Sequence, residues 1–499
     1  MFNSSIISRF AMIASRFSDR NAFCINENHY SYGEFWNLVS KLRTQLRAFE
    51  ITNKKLGLVF NDDLMTYASI FACWMEGMTY VPLHPKQPLP RNLEVISQAE
   101  LKFVLDSNLD RAFETVTVID TNAAETLELT TDIINADDND LAYILFTSGS
   151  TGKPKGVPIT RGNLATFIDI FFKSDISIDE NDRCLQCFDL TFDISVQCYL
   201  APLLNGACVY TVPHDQIKFS YVYGLLDDHE LTFGVFAPSM IHHLRPYFDE
   251  IHLEKLKYCL LVAEATPIEL IKEWFGHIPN ARVFNFYGPT EATIYCVYYE
   301  AKRNEILKEG NGMLAIGTPF KGTDAIILDE NLQIAEKGVK GEMYVSGDQV
   351  TSGYWKNPER NAEAFKMVDY NGNNQRFYKT GDLCMIDEDD DILYFGRLDY
   401  QVKIQGYRIE LGEIEFHARE AIGGKNAVAF VYGGSGGSKE IAMCLEIDTF
   451  EEKVVFDHLR AKLPEYMVPS QLFNMEKFPL NTSDKVDRKQ VESLFAEQS

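Results

Sequence analysis

The sequence lacks long apolar runs and is short of positive charge. No apolar stretch among its 499 residues approaches the roughly 18 residues that a membrane-spanning helix needs. Lysine and arginine together number 47 against 72 aspartate and glutamate residues, which gives a net charge of −25. Such an excess of negative charge disfavours binding to nucleic acid or to an anionic membrane surface. We therefore expect neither a nucleic acid nor a membrane among the partners.

Paired cysteine motifs and a secretion signal are also missing. The ten cysteines are scattered, mostly within apolar runs, and only Cys184 and Cys187 stand in a CxxC spacing. A single CxxC without a second pair or neighbouring histidines favours buried, reduced core residues over a zinc or redox site. Near the N-terminus, Arg9 and Arg16 interrupt apolar positions at helical spacing, which predicts an amphipathic helix rather than a signal peptide. We expect a cytoplasmic protein.

A glycine-rich loop of the Walker A type is absent, but a different one stands at residues 147–157. The apolar residues 141–146 predict a strand, and the sequence TSGSTGKPKG follows it directly. Its hydroxyls, glycines and lysines offer the N–H and O–H donors and the positive charge that a polyphosphate needs. Only two residues separate Gly149 from Gly152, which excludes the Walker A spacing. Composition alone also allows a flexible surface loop.

The chain length and the alternation of elements predict two domains. Between residues 55 and 295, apolar strand-like runs alternate with helical patterns, which implies parallel sheets with covering helices. Residues 300–395 change to turns and short strands. We expect an α/β fold whose large N-terminal domain, residues 1–398, contains two α/β subdomains and a β-rich subdomain. A small, mobile α+β C-terminal domain, residues 399–499, would follow it.

Three further segments carry side chains suited to a nucleotide. In NFYGPTEAT, residues 285–293, an amide and an aromatic ring can hold adenine, a hydroxyl can bind phosphate and a carboxylate can ligate Mg²⁺. In YKTGDL, residues 378–383, Asp382 can accept hydrogen bonds from both ribose hydroxyls. Lys485 lies in the polar segment PLNTSDKVDR near the C-terminus. Taken singly, each segment is more typical of a buried turn or a solvated surface loop than of a nucleotide site.

Taken together, the segments resemble the motif series of the adenylate-forming superfamily. Along residues 147–488 the order is TSGSTGKPKG, YGPTE, GEMYVSGDQVTSGYW, YKTGDL, GRLDYQVKIQGYRIELGEIE and PLNTSDKVDR. The resemblance implies an ATP-dependent, AMP-forming ligase that uses Mg²⁺. In its first step a carboxylate reacts with ATP to give an acyl-adenylate and pyrophosphate, and in its second step a thiol displaces AMP. It also implies that the small domain swings about Asp399 between the two steps.

The resemblance assigns roles to single residues of this chain. It gives Asp399 the role of the hinge and Glu291 that of the Mg²⁺ ligand, and it places Lys485, Thr290 and Glu291 in catalysis. Mg²⁺ and Lys485 would offset the repulsion between the carboxylate and the triphosphate. The superfamily usually has glycine before this lysine, whereas this chain has Asp484, which tolerates a left-handed backbone better than most residues. The ATP-binding residues would be Thr147, Ser148, Gly149, Thr151, Lys155, Asn285, Tyr287, Gly288, Asp382, Arg397 and Lys485.

The substrate expectation comes from the segment FDIS, residues 192–195. In the amino-acid-activating branch of the superfamily the aspartate of such a segment binds the substrate ammonium, and here it is Asp193. A buried carboxylate needs a cationic partner, which aryl and fatty acids do not offer. Asp189 in the preceding FDLT is the other candidate, and the register with the following helix favours Asp193. The resemblance gives the remaining pocket residues as Ile194, Gln197, Val235, Val262, Phe286, Ile294 and Tyr295.

This lining is almost wholly apolar and predicts a small or compact apolar amino acid as substrate. The chain resembles the stand-alone D-alanine–carrier protein ligases. The glutamine at position 197 also resembles the pocket composition of some proline-activating domains of nonribosomal peptide synthetases. No phosphopantetheine attachment site follows Arg488, so we expect the thiol to come from a separate carrier protein. Two alternatives stay open: an acyl-CoA or aryl-CoA synthetase, and a non-catalytic binding relative that has kept the fold.

Overall fold

The protein divides into two compact units in its computed structural model, which describes residues 1–110, 113–130, 132–149, 152–433, 439–481 and 486–496. The first unit comprises Met1–Pro85, Ile96–Phe146 and Gly156–Leu398. The second comprises Lys86–Val95, Thr147–Lys155 and Asp399–Ser499. The C-terminal stretch therefore clusters with two short segments of the preceding chain, and one of these contains the glycine-rich loop.

The largest sheet of the first unit has nine strands and is parallel in its centre. Six strands, from Arg282–Tyr287 across to Asn21–Ile25, run parallel to one another. Antiparallel strands flank them at both edges. The parallel strands are almost entirely buried, as expected for a sheet that helices cover on both faces. In spatial order the strands are Thr318–Pro319, Val297–Ala301, Arg282–Tyr287, Tyr258–Leu261, Phe233–Phe236, Arg183–Gln186, Cys208–Thr211, Asn21–Ile25 and Asn28–Ser31.

A second sheet has six strands and corrects the predicted bounds of the glycine-rich loop. Residues up to 157 were expected to lie in the loop, whereas Lys155–Thr160 is a strand. Glycine and proline in this stretch are depleted in strands generally, which is why its sequence does not indicate one. In spatial order the strands are Thr117–Asp120, Phe103–Asp106, Lys55–Val59, Thr79–Leu83, Leu141–Thr147 and Lys155–Thr160, and the first five pair in parallel.

The β-rich part of the first unit is an antiparallel sheet of five strands. Four of them lie in the order Thr323–Leu328, Gly341–Gly347, Asn373–Ile386 and Phe365–Tyr370, and Ile392–Arg397 pairs with Asn373–Ile386. Its register sets Asp382 opposite Arg397. Two shorter strands, Glu309–Gly310 and Met313–Leu314, form a separate ribbon.

The helices begin where the sequence supplies capping groups. Ser31 and Glu34 form a capping box at one helix start, and Thr160 and Asn163 form another. Each cap satisfies backbone N–H groups that have no partner within the helix. The α-helices that begin before residue 399 are Arg9–Arg16, Tyr32–Arg47, Leu64–Met75, Leu89–Ala99, Arg161–Phe171, Ile194–Leu203, Lys218–Asp228, Pro238–Leu244, Ile268–Trp274 and Pro358–Ala364.

The C-terminal stretch of the second unit is an α+β arrangement. Its sheet contains Ala427–Gly433, Lys439–Glu446 and Gln471–Met475, and a hairpin of Gln401–Ile404 and Tyr407–Glu410 precedes it. Helices Leu411–Ala421 and Glu452–Lys462 pack into one apolar core with this sheet, and Arg488–Ala496 contributes to a second. The predicted fold class is confirmed.

Two features expected from composition are also visible in this structure. All ten cysteines are buried and form no disulfide, as expected of core residues. None of the helices in the described ranges combines the length and the apolar character that crossing a membrane requires.

Candidate active site

Asp193 is a buried carboxylate that hydrogen bonds hold in place. It stands at the N-cap of the helix Ile194–Leu203 and is only 5% exposed. The backbone N–H of Ile294 donates to its Oδ2 at 3.1 Å, and the Thr290 side chain is a second hydrogen-bond partner. Burial and, to a smaller extent, the charge of Glu291 together raise the pKa of Asp193 from 3.8 to about 7, although the hydrogen bonds lower it. A cation bound at this carboxylate would restore its ionised form.

A strained turn directs the backbone N–H of Ile294 at the carboxylate of Asp193. Thr293 and Ile294 have φ values of +54° and +75°, in the left-handed region that β-branched residues rarely adopt. Gln349, which is fully buried, fixes the turn from the β-rich part of the unit. Its Nε2 donates to the carbonyls of Ala292, at 2.7 Å, and Tyr295, at 3.0 Å. The orientation of the N–H therefore depends on a side chain distant in the sequence.

Gly288 lets the same turn fold back closely on itself. A Cβ atom at this position would lie 2.1 Å from the Cα of Tyr295 and 2.7 Å from the carbonyl oxygen of Ile294. Both neighbours are backbone atoms, so no side-chain rotation can relieve the overlap. Only glycine fits between the strand that ends at Tyr287 and the returning chain.

The residues predicted to line the substrate pocket are all buried. The rings of Phe286 and Tyr295 pack with their centroids 4.4 Å apart. Val235 and Val262 lie at the carboxyl ends of neighbouring parallel strands, where α/β sheets bind ligands. Two polar atoms, Nε2 of Gln197 and the hydroxyl of Tyr295, are buried and have no hydrogen-bond partner among the described residues. This set of residues therefore has hydrogen-bonding capacity that its apolar composition did not lead us to expect.

Glu291 is suited to hold a divalent cation. It is fully buried in the short helix Thr290–Ala292, and the hydroxyl of Tyr354 donates to its Oε1 at 2.6 Å. The amide of Thr351 donates to its backbone carbonyl at 2.8 Å, which fixes the residue in place. Carboxylate oxygens are the ligands that Mg²⁺ prefers. Since the charge of Glu291 acts on Asp193, a cation at Glu291 would lower the cost of ionising both groups.

Three of the predicted nucleotide-binding residues form one cluster. The hydroxyl of Tyr287 donates to Asp382 Oδ2, and Nη1 of Arg397 donates to Asp382 Oδ1 at 3.0 Å. Nη2 of Arg397 also donates to the carbonyl of Thr380 at 3.1 Å. Burial and the adjacent Asp382 hold the pKa of Tyr287 well above its usual value, so its hydroxyl stays protonated. The cluster joins the end of the parallel sheet to the β-rich sheet.

The side chain of Asn285, also predicted to contact adenine, is occupied by the protein itself. The hydroxyl of Thr266 donates to its Oδ1 at 2.9 Å, and its Nδ2 donates to the carbonyl of Ala315 at 2.9 Å. These bonds tie the strand Arg282–Tyr287 to two neighbouring loops. The amide of Asn285 therefore positions backbone in this structure.

In the second unit, the glycine-rich loop binds a carboxylate of its own unit. The backbone N–H of Gly149 donates to Oε2 of Glu413 at 3.0 Å, and Arg91 pairs with Oε1 of the same residue at 2.6 Å. The hydroxyl of Ser148 donates to the carbonyl of Arg408 at 3.0 Å. The loop was expected to bind a triphosphate, and here a carboxylate oxygen lies where an anion would bind.

Lys155 is engaged in the same way. Its Nζ lies 3.5 Å from Oε1 of Glu410, and Gln401 Nε2 donates to that oxygen at 2.7 Å. Lys155 and Glu410 are both nearly buried. The hydroxyl of Thr147 is buried without a partner among the described residues. Two donors suited to an anion, the N–H of Gly149 and the amine of Lys155, are thus engaged by glutamates.

The remaining predicted residues fall partly outside the described ranges. Lys485, Asp484 and Thr151 lie outside the residues that the structure describes. Asp399, the predicted hinge, is exposed and is the first residue of the C-terminal stretch of the second unit. Its neighbour Tyr400 is 63% exposed, and the backbone N–H of Gln401 donates to Oδ1 of Asp399 at 3.1 Å. The hinge role of Asp399 stays a prediction.

Sequence reasoning missed four residues that shape the site. Gln349 and Tyr354 support Ile294 and Glu291, and Glu410 and Glu413 occupy the glycine-rich loop. All four lie in segments that carried the resemblance, GEMYVSGDQVTSGYW and YRIELGEIE. Of the four, only Glu410 carried a local signal, as an acidic residue between the apolar Ile409 and Leu411.

Comparison with known proteins gives one family. The profile of a family described as AMP-binding enzyme matches residues 10–355. Tyrocidine synthase 1 of Brevibacillus parabrevis is 30% identical over 503 residues, which cover 97% of this chain and 44% of that protein. D-alanine–D-alanyl carrier protein ligase of Bacillus velezensis is 29% identical over 487 residues, 94% of this chain and 95% of that protein. The chain thus spans less than half of the first relative and almost all of the second.

A solved structure shows the same fold. The Vibrio cholerae adenylation domain AlmE, in complex with glycyl-adenosine-5'-phosphate, superposes with a TM-score of 0.83 at 23% identity. The match covers 98% of this chain and 97% of that one.

Proposed function

The chain belongs to the AMP-binding enzyme family, and we propose that it activates an amino acid with ATP and passes it to a thiol. The first product would be an aminoacyl-adenylate, formed with release of pyrophosphate. The second would be a thioester on the phosphopantetheine of a carrier protein, formed with release of AMP. The proposed substrate is a small or compact apolar amino acid, D-alanine or one similar to proline.

The observation that carries this proposal is the buried carboxylate of Asp193. Its pKa near 7 reports the cost of an anion that no described basic side chain offsets. An α-ammonium group would offset it, because a buried carboxylate is stable when a cation is hydrogen-bonded to it. Fatty and aryl acids carry no such group, so the feature favours an amino-acid substrate over an acyl-CoA or aryl-CoA synthetase.

The proposed size of the substrate rests on the buried lining. The bulky rings of Phe286 and Tyr295 pack at 4.4 Å, and the predicted lining contains no ionisable carboxyl or amine besides Asp193 that could pair with a charged side chain. The Nε2 of Gln197 and the hydroxyl of Tyr295 can each give one hydrogen bond, which a compact polar side chain or a water would accept. Two relatives carry names that fit a small substrate, a D-alanine–D-alanyl carrier protein ligase and an adenylation domain with glycyl-adenosine-5'-phosphate.

Mg²⁺ would bind at Glu291 in this proposal. The ion supplies charge neutralisation of the triphosphate when it is bound. Glu291 offers a fixed carboxylate, and Tyr354 orients it by donating to Oε1. Thr290, next in the chain, would bind phosphate with its hydroxyl. Tyr287, Asp382 and Arg397 would hold the adenosine, with Asp382 accepting hydrogen bonds from the ribose.

ATP must displace Glu413 and Glu410 from the glycine-rich loop. These carboxylates engage Gly149 and Lys155, the groups proposed to bind the triphosphate. Their presence supports an anion site, since backbone N–H groups and a lysine at such a loop bind carboxylates and phosphates alike. Exchange of one for the other requires the C-terminal stretch to move, and we propose that it turns about Asp399 and brings Lys485 to the α-phosphate.

The test is ATP–pyrophosphate exchange over a panel of acids. We expect exchange with D-alanine, L-alanine, glycine or proline, and none with acetate, benzoate or longer fatty acids. Exchange with fatty or aryl acids alone would establish the acyl-CoA or aryl-CoA alternative. No exchange and no AMP release with any acid or thiol would indicate a non-catalytic relative.

The second half-reaction needs its own measurement. A carrier protein bearing phosphopantetheine and free coenzyme A would be offered in parallel to the enzyme with the preferred acid and ATP. Mass spectrometry should show an increase on the carrier equal to the aminoacyl group. Equal or better transfer to coenzyme A would contradict the carrier protein as the natural thiol.

A further inference from the structure

A cluster of two histidines and two aspartates lies outside the proposed catalytic residues. His84, Asp189 and His214 offer ligand atoms that all lie within 4.8 Å of one another. His84 Nε2 and Asp189 Oδ2 are 4.0 Å apart. Asp62 adds a fourth side chain, paired with Nδ1 of His214. Asp189 is the aspartate that the substrate argument set aside.

The fold places these residues at the carboxyl ends of parallel strands. His84 directly follows Thr79–Leu83, and Asp62 follows Lys55–Val59 of the same sheet. Asp189 and His214 follow two adjacent strands of the nine-stranded sheet, Arg183–Gln186 and Cys208–Thr211. Strand ends of this kind are where α/β folds place ligand-binding side chains.

Hydrogen bonds orient His214 as a ligand. Its Nδ1 pairs with Asp62 Oδ1, and its backbone N–H donates to Asp62 Oδ2 at 2.8 Å. A carboxylate on Nδ1 places the proton there and makes Nε2 the basic nitrogen, as in the carboxylate–histidine pairs that support metal ligands. The ring of Phe60 packs against both histidines, with centroids 5.0 Å from His84 and 5.3 Å from His214. Both imidazoles are thus restrained.

We propose that His84, Asp189 and His214 bind a transition-metal dication of the zinc class, with Asp62 orienting His214. Two imidazole nitrogens and one carboxylate oxygen are a ligand set typical of Zn²⁺ with an open fourth position. Tetrahedral ligands about 2.0 Å from zinc lie roughly 3.3 Å apart, so the 4.0 Å separation needs only a small rotation to close. The three side chains are 12–15% exposed, which leaves a path for the ion.

A metal at this site would fix the turn between Asp189 and Asp193. Asp189 begins the short turn that leads to Asp193, and the amide of Phe192 donates to the carbonyl of Asp189 at 2.9 Å. A metal at Asp189 would anchor this turn to strands of both sheets. The metal would stabilise the fold near Asp193, the carboxylate proposed to bind the substrate ammonium. This role is independent of the proposed reaction.

A second histidine-containing group in this chain serves as a control for the zinc experiment. Among the described residues a second group, His417, Glu420 and His458, also brings three ligand atoms within 4.8 Å. It lies in the second unit, where Nδ1 of His417 is 2.9 Å and Nε2 of His458 is 3.6 Å from Glu420. The paired substitution His417→Ala with His458→Ala therefore removes as many imidazoles as His84→Asn with His214→Asn.

The experiment is a titration of the whole chain with Zn²⁺ against a chromophoric chelator, in excess Mg²⁺ to saturate oxygen-only sites. We expect the His84→Asn, His214→Asn variant to lose one tight zinc per chain, while the control pair keeps it. Co²⁺ should give a visible absorption that the first pair abolishes. Loss of the ion in the control pair alone, or no zinc binding by the unmodified chain, would overturn the proposal.

A milder variant separates ligation from folding. Asp62→Asn keeps all three ligands and should weaken zinc about 10- to 100-fold, as loss of such a carboxylate does elsewhere. Far-ultraviolet circular dichroism shows whether each variant is folded. An unchanged zinc affinity in folded Asp62→Asn would refute the assigned orientation of His214.

Discussion

Replacing Asp193 with asparagine should strongly weaken amino-acid binding and at the same time stabilise the protein at neutral and alkaline pH. The folded carboxyl has a pKa of about 7, against 3.8 when ordinarily solvated. The folded state therefore binds a proton that the unfolded chain has released over this pH range. The contribution of this carboxyl to stability is therefore fully present below about pH 4 and is lost as the pH rises to about 7.

The size of the effect follows from the shift in pKa. A difference of 7 − 3.8, or about 3 pH units, corresponds to an upper bound of about 4 kcal/mol at pH values above 7. The asparagine that replaces Asp193 carries no charge, and its side-chain oxygen can still accept the N–H of Ile294. We expect the variant to unfold at a higher temperature than the parent above pH 7, and the difference to shrink towards acid pH.

Catalysis should change in the opposite direction. Loss of the charge that pairs with the substrate ammonium costs about 3 kcal/mol or more, which is over a hundredfold in the amino-acid KM. The ATP KM should change little. Pyrophosphate exchange gives both KM values, and thermal denaturation from about pH 5 to about pH 9 gives the stability.

Two results would refute the reasoning on Asp193. A rise in the ATP KM with an unchanged amino-acid KM would mean that the residue serves the nucleotide. Parallel unfolding curves for the parent and the variant at every pH would mean that the carboxyl is not the source of a pH-dependent penalty. The alanine variant serves as a control, because it removes the charge and also the hydrogen bond to Ile294.

Three further predictions concern the loop, the turn and the catalytic lysine. Glu410→Gln should tighten ATP binding about fivefold, since it removes roughly 1 kcal/mol of competition for Lys155; an unchanged ATP affinity by calorimetry would contradict this. Gly288→Ala should lower the melting temperature, because its Cβ overlaps the Tyr295 backbone at a cost of about 3 kcal/mol, and a native-like melt would contradict it. Lys485→Ala should reduce pyrophosphate exchange about a hundredfold or more and spare thioester formation from a preformed adenylate; equal loss of both steps would refute this division.

The sequence predicted the sheets well because their strands are buried on both faces. Residues 141–146 and 233–236 read as apolar runs, and runs of this kind predict parallel strands. The adenylate-forming resemblance is confirmed by the family that matches residues 10–355. The strand Lys155–Thr160 was missed because glycine and proline in it carry the signal of a loop.

Sequence motifs led to site proposals only where the proposed residue lies within its own motif. The roles of Asp193 and Glu291 are proposals from local sequence, whereas the residues that support their positions come from far along the chain. Gln349 reaches the turn at Ala292, and Tyr354 reaches Glu291 across 63 positions. Contacts of this kind depend on how sheets pack and leave no periodic signal. The occupation of the glycine-rich loop by Glu413 is a further case.

The left-handed turn at Thr293 and Ile294 matters for redesign. Under the proposed function, acceptance of the α-amino group is encoded partly in the path of the main chain, which Gln349 maintains. Exchanging Val235, Val262 or other lining side chains would alter which amino acid is accepted and leave that path intact. Selectivity for the substrate side chain and recognition of the substrate α-amino group can thus be engineered separately in this protein.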